Sequence, residues 1–197
     1  FLQEQLAKAL FNAMNYAHAS GERDAGEALL EELRGIHEAS GEAASVRVRL
    51  AKGLFNAMSF AVENDDGERA SGLLRELRDL GARFPDDVEV RARLSKGLAT
   101  MLHQSCKSDD APGASELLDE LREMAGAHPD QLVLRESLAM GLSDTLQVLG
   151  GGADPDRRAV LLEELRTLAS SHPEADSIRA RLASGIATEL SVAARSN

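Results

Sequence analysis

With a formal net charge of −11 over 197 residues and a pI near 4.9, the chain offers no basic face of the kind that nucleic-acid phosphates demand, so nucleic acid is excluded as its expected partner. Aromatics make up 3% and Trp is absent, so a core has to come from Leu, Ala, Val and Met, which suits close-packed helices and disfavours a β-sandwich. The single Cys106 rules out an internal disulfide, and no apolar run approaches the ~18 residues that span a bilayer; the expected setting is reducing and cytoplasmic, without membrane association.

The first element runs through Gln5-Leu6-Ala7-Lys8-Ala9-Leu10-Phe11-Asn12-Ala13-Met14 and returns at an interval of 44 residues. Its echoes are Arg49-Leu50-Ala51-Lys52-Gly53-Leu54-Phe55-Asn56-Ala57-Met58, then Arg93-Leu94-Ser95-Lys96-Gly97-Leu98, Ser137-Leu138-Ala139-Met140-Gly141-Leu142 and Arg181-Leu182-Ala183-Ser184-Gly185-Ile186. In the second copy Val46, Leu50, Leu54, Met58 and Ala61 fall at spacings of three and four, the single apolar stripe of a helix A over about 43–63. Asn64-Asp65-Asp66-Gly67 breaks it, and Leu73, Leu74, Leu77 and Leu80 mark a helix B over about 67–83. Phe84-Pro85-Asp86-Asp87 closes B, because proline disfavours helix in the residue before it, and an Asp there caps the next A.

Helix B repeats as Leu29-Leu30-Glu31-Glu32-Leu33-Arg34, Leu73-Leu74-Arg75-Glu76-Leu77-Arg78, Leu117-Leu118-Asp119-Glu120-Leu121-Arg122 and Leu161-Leu162-Glu163-Glu164-Leu165-Arg166. The turns after B read Ser40-Gly41-Glu42, Phe84-Pro85-Asp86, His128-Pro129-Asp130 and His172-Pro173-Glu174, whereas the loops inside the hairpins vary in composition, down to Gly150-Gly151-Gly152. The expected fold is therefore all-α: a right-handed α-α superhelix, or solenoid, of antiparallel helix hairpins with about nine helices. It forms a single repeat domain over 1–197, with units 1–42, 43–86, 87–130 and 131–174 and a partial fifth unit, 175–197. Both ends fall inside the repeat, so the chain reads as a segment of a longer array.

This alternation resembles the tetratricopeptide repeat family. When the interhelical prolines are aligned with the proline that closes a repeat there, the family's Leu-small pair falls on Leu50-Ala51, Leu94-Ser95, Leu138-Ala139 and Leu182-Ala183. The large apolar residue that follows falls on Leu54, Leu98, Leu142 and Ile186. The unit is longer than the family's usual 34 residues, and Leu73 and Leu80 stand where its helix B carries alanines. The resemblance implies that A helices line a concave groove that takes peptides.

Three recurring columns invite a role. Gly53, Gly97, Gly141 and Gly185 sit in mid-helix, where glycine costs about 0.5–1 kcal/mol relative to Ala, and read as notches for close helix crossing. Arg47, Arg91, Arg135 and Arg179 are expected to pair with Glu32, Glu76, Glu120 and Glu164 between A and B, while Arg34, Arg122 and Arg166 meet an acid three residues earlier. Lys8 with Asn12, Lys52 with Asn56, and Lys96 with Thr100 are i,i+4 pairs on helix A, beside Phe11 and Phe55. A repeated Lys–Asn pair is similar to the carboxylate clamp with which some tetratricopeptide domains hold an acidic peptide C-terminus, Lys supplying charge and Asn a directional donor.

Catalytic patterns are absent. His103 and Cys106 share one face of a helix but lack further ligands at metal spacing, the acidic loops lack the alternation of a calcium hand, and the glycine run is followed by no Lys-Ser/Thr. The chain therefore reads as a non-enzyme that needs no metal or cofactor. Its expected function is a protein- or peptide-binding scaffold using Lys8, Phe11, Asn12, Lys52, Phe55, Asn56, Lys96 and Thr100 for acidic or C-terminal segments. The alternative is a structural spacer that self-associates through its array ends.

Overall fold

The computed structural model describes residues 2–40, 43–149 and 154–195. Gly41 and Glu42 of the first B-to-A turn, and the glycine run 150–152, lie outside them. The described residues form nine α-helices and no strand: α1 (Leu2–Ala19), α2 (Arg23–Ala39), α3 (Ala44–Glu63), α4 (Gly67–Arg83), α5 (Val88–Lys107), α6 (Ala111–Ala127), α7 (Leu132–Leu149), α8 (Pro155–Ser171) and α9 (Asp176–Arg195). Odd-numbered helices are type A and even-numbered ones type B, so the protein is all-α, as its periodicity requires.

The chain divides into two compact units, Phe1–Gly97 and Leu98–Asn197, with α5 contributing residues to both. Within the first, α1 packs on α2, α3 on α4, and α3 also on α1 and α2. Within the second, α7 packs on α6, α8 and α9, and α8 on α9. Within their units α3 and α7 thus each meet the B helix of their own hairpin, a neighbouring A helix, and the B helix before them.

The stripes explain the packing. Val46, Leu50, Leu54, Met58 and Ala61 are all buried on α3, as are Leu73, Leu74, Leu77 and Leu80 on α4. Burial of each such leucine from water stabilises by about 1.5–3 kcal/mol. The glycine column is the seat between successive pairs. A Cβ built on Gly53 would touch Leu33, Leu30 and Met14 at 3.1–3.5 Å, and one on Gly97 would touch Leu74, Leu77 and Met58 at 3.4–3.6 Å. In the second unit, Gly141 faces Leu102, Leu121 and Leu118 at 3.0–3.4 Å, and Gly185 faces Leu146, Leu165 and Leu162 at 3.2–3.5 Å. The same three leucine or methionine positions surround every glycine.

The loops inside the hairpins vary in composition but keep one stereochemical plan. Gly21, Asp65 and Asp109 adopt positive φ of 73°, 56° and 58°. One residue further on, Asp66 and Asp110 cap α4 and α6, as Asp154 caps α8, by accepting from the backbone N–H of Arg69, Gly113 and Arg157 at 3.1, 3.1 and 2.9 Å. Each carboxylate satisfies a donor that the helix itself leaves without a partner. Glu22 occupies the matching position before α2 and makes no side-chain cap bond.

The arginine column departs from expectation. Arg47 donates to Asp87 at 2.7 Å and lies over the Phe84 ring at 4.2 Å, while Arg91 and Arg179 donate to the carbonyls of Pro85 and Pro173 at 2.6 and 2.8 Å. These arginines sit in the first turn of helix A, level with the B-to-A turns and not with the middle of B. The glutamate column instead joins B helices: Arg34 grips Glu76 through Nε and Nη2, both at 2.9 Å, and Arg122 grips Glu164 at 2.8–3.2 Å. Each of these arginines also holds its i,i+3 acid, Glu31 or Asp119, at 2.8 Å.

Candidate functional site: the outward strip of the A helices

On α3 helix A buries its Leu–Gly–Met face, and the Lys–Asn register lies on the flank beside it. On α1, Lys8 and Asn12 are exposed and Phe11 is half-buried. On α3, Lys52, Phe55 and Asn56 are all half-buried. The i,i+4 spacing sets each pair on one side of its helix. Lys96 is exposed and Thr100 half-buried; the first belongs to the first unit and the second to the other.

Neighbouring A helices are tied by polar rungs along this strip. In the first unit Ser45 donates to Glu4 at 2.6 Å and Asn56 Nδ2 to Asn15 Oδ1 at 2.8 Å. Lys52 Nζ stands 3.6 Å from Glu89 of α5. Asn56 and Lys52, both read from the sequence as ligand contacts, therefore also connect helices. The hydrogen bond from Ser45 holds the Glu4 carboxyl below its ordinary range.

The second unit repeats the rungs with other chemistry. Ser177 donates to Glu136 at 2.6 Å, the equivalent of the Ser45–Glu4 bond. His103 and Asp144 occupy the columns of Asn15 and Asn56, with Nδ1 3.0 Å from Oδ2. Asp144 is 5% exposed while His103 is 41% exposed, and Arg181 Nη1 lies 3.9 Å from the other carboxylate oxygen. Sequence reasoning passed over Asp144 because the Lys–Asn pattern ends there, at Met140; its place in the Asn12–Asn56 column was the available signal.

The sequence placed His103 and Cys106 together, and the structure gives them separate surroundings. His103 turns to Asp144, whereas Cys106 lines a narrow cleft of about 30 Å³ with Ser105, Asp110, Ala114, Thr145 and Val148. Burial pushes the Cys106 thiol up, against the hydrogen bond with Thr145, and the Asp144 charge adds to the rise. Among the described residues no three His, Cys, Asp or Glu side chains converge as a metal would require, and no helix is long and apolar enough to cross a membrane.

The fold and its rungs define an all-α protein of helical hairpins in a regular 44-residue register. No family model, curated protein or solved structure matches the chain, so that class rests on fold and register.

Proposed function

We propose that the chain is a tetratricopeptide-like binding scaffold whose A-helix strip takes a protein or peptide segment, with acidic or C-terminal segments as the ligand class. One observation carries the reading: Lys8–Asn12 and Lys52–Asn56 stand in the same register on two adjacent A helices of a chain whose net charge is −11. Cations gathered on one flank of an acidic molecule give a carboxylate a local target and repel it elsewhere.

The existing contacts of these residues leave room for a ligand. An amide nitrogen has two protons, so Asn56 keeps one after serving Asn15. The Lys52–Glu89 pair is partly exposed and stabilises by only ~0–1 kcal/mol, so a ligand carboxylate can displace it at small cost. Phe11 and Phe55, half-buried at the same level, offer an apolar surface beside the polar one.

The test is a panel of acidic peptides with free or amidated C-termini, titrated against the wild type and the Lys8→Ala/Lys52→Ala variant by fluorescence polarisation. Binding should weaken at least tenfold in the variant and fall steeply with salt. Equal affinity for both proteins sinks the proposal.

A further inference from the structure

The second unit presents an apolar face that the same register covers elsewhere. Leu54 and Met58 on α3 are 2% and 0% exposed, and Leu142 and Leu146 on α7 are both 0%. The equivalent residues of α9, Ile186 and Leu190, are 37% and 67% exposed. The adjacent side of α9 is packed, with Gly185 seated on Leu146, Leu165 and Leu162. The first unit shows what such a face accepts: Met58 converges with Leu74 and Leu77 of α4 around Gly97.

A charged group on α8, the helix packed on α9, has half the partners of its equivalents among the described residues. Arg34 and Arg122 each hold an i,i+3 acid and a glutamate of the following B helix. Arg166 occupies the same column on α8 and, among the described residues, holds only Glu163, at 3.3 Å; its side chain is 52% exposed, against 27% and 34% for the other two.

We propose that the α8–α9 face docks an amphipathic helix of the chain's own B type, with the pattern Leu-Leu-x-Glu-Leu. The leucines would cover Ile186 and Leu190, and the glutamate would complete the Arg166 fork, which is the charge complementarity already realised twice in the molecule. The pattern occurs in all four B helices, as in Leu73-Leu74-Arg75-Glu76-Leu77. A folded second copy cannot supply it, because its own leucines are spent: Leu30, Leu74, Leu118 and Leu162 are 0%, 3%, 1% and 7% exposed. The occupant is therefore a helix not already packed on an A helix.

The experiment uses a fluorescein-labelled peptide with the sequence of residues 155–171, titrated into the full chain by polarisation. Saturable binding is expected, lost with the protein's Leu190→Asp and unchanged by Lys52→Ala, which separates this face from the strip proposed above. A peptide carrying Glu164→Lys should bind roughly fivefold more weakly, and Arg166→Glu in the protein should restore it. Circular dichroism confirms that each variant is folded. Absence of saturation, or binding indifferent to both Leu190→Asp and the charge swap, overturns the proposal. So does concentration-dependent self-association that Leu190→Asp abolishes while peptide binding persists, because a second copy would then own the face.

Discussion

Gly141 is the tightest of the helix-crossing notches, and replacing it with alanine sets two opposed effects against each other. In an open helix the change gains about 0.5–1 kcal/mol by limiting the unfolded chain. At Gly141 the new methyl meets Leu102 Cδ1 at 3.0 Å, Leu121 Cδ1 at 3.3 Å and Leu118 Cδ1 at 3.4 Å, so three methyl groups must retreat together. Overpacking of that kind costs about 1–3 kcal/mol, which leaves a net loss centred near 1 kcal/mol. Gly35 in α2 is the control, because a Cβ there meets nothing within 4 Å. With a urea m-value of about 2 kcal/mol/M, the midpoint should fall by about 0.5 M in Gly141→Ala and rise by about 0.3 M in Gly35→Ala. Far-UV circular dichroism in urea reads both. In combination with Leu102→Ala, which alone costs about 2–5 kcal/mol, the alanine partly fills the cavity, so the double variant should be about 1 kcal/mol better than the sum. A Gly141→Ala protein as stable as Gly35→Ala would refute the notch.

Asp110→Ala removes the α6 cap and should cost about 1 kcal/mol, or about 2–4 °C in Tm, whereas Asp110→Asn should keep most of it. Partial burial raises the Asp87 carboxyl, but the hydrogen bond from Arg47 and the amides of Val90 and Glu89 outweigh it and hold it below the ordinary carboxylate range. A carboxyl depressed by folding stabilises above its unfolded pKa, so this contribution should vanish as pH falls from about 4 downward, and an acid titration of Asp87→Asn should show a shallower loss. A double-mutant cycle on Arg34 and Glu76 should give about 0.5–1 kcal/mol at low salt and less in 1 M NaCl, because both side chains are partly exposed. Changing His103 and Asp144 together to Asn rebuilds the amide rung of the first unit and should be tolerated, whereas His103→Ala leaves a buried carboxylate without that partner and should lower stability by about 1–3 kcal/mol in the same urea assay.

The helices were legible because their period is redundant. The apolar stripe of α3 predicts 43–63 and the structure has Ala44–Glu63; for α4 the expected 67–83 matches Gly67–Arg83. Glycine in mid-helix likewise announced a close crossing, since nothing else offsets its cost. The inner loops concealed their order: Gly21, Asp65 and Asp109 differ as residue types while sharing a positive φ, a property of backbone shape that composition does not spell. The arginine column failed for a geometric reason. Equal spacing along the chain says which residues recur, but whether Arg47 meets Glu76 or Asp87 depends on its height along the helix relative to a turn.

The same distinction bears on the candidate site. Two columns of helix A keep their places while their chemistry changes, from Asn15 and Asn56 in the first unit to His103 and Asp144 in the second. A rung that survives replacement of amides by an imidazole and a carboxylate is held by the register of the helices, not by one pairing. Its side chains are therefore free to diverge without loss of fold, which is the condition for a surface that selects a ligand. The cations Lys8, Lys52 and Lys96 belong to the first unit, whereas the second carries a buried carboxylate with His103 and Arg181 beside it. On the proposed reading, a carboxylate ligand would be drawn to the former, and Asp144 would oppose it in the latter. If the strip binds acidic segments, substitutions in α1 and α3 should therefore govern affinity, and those in α7 should leave it nearly unchanged.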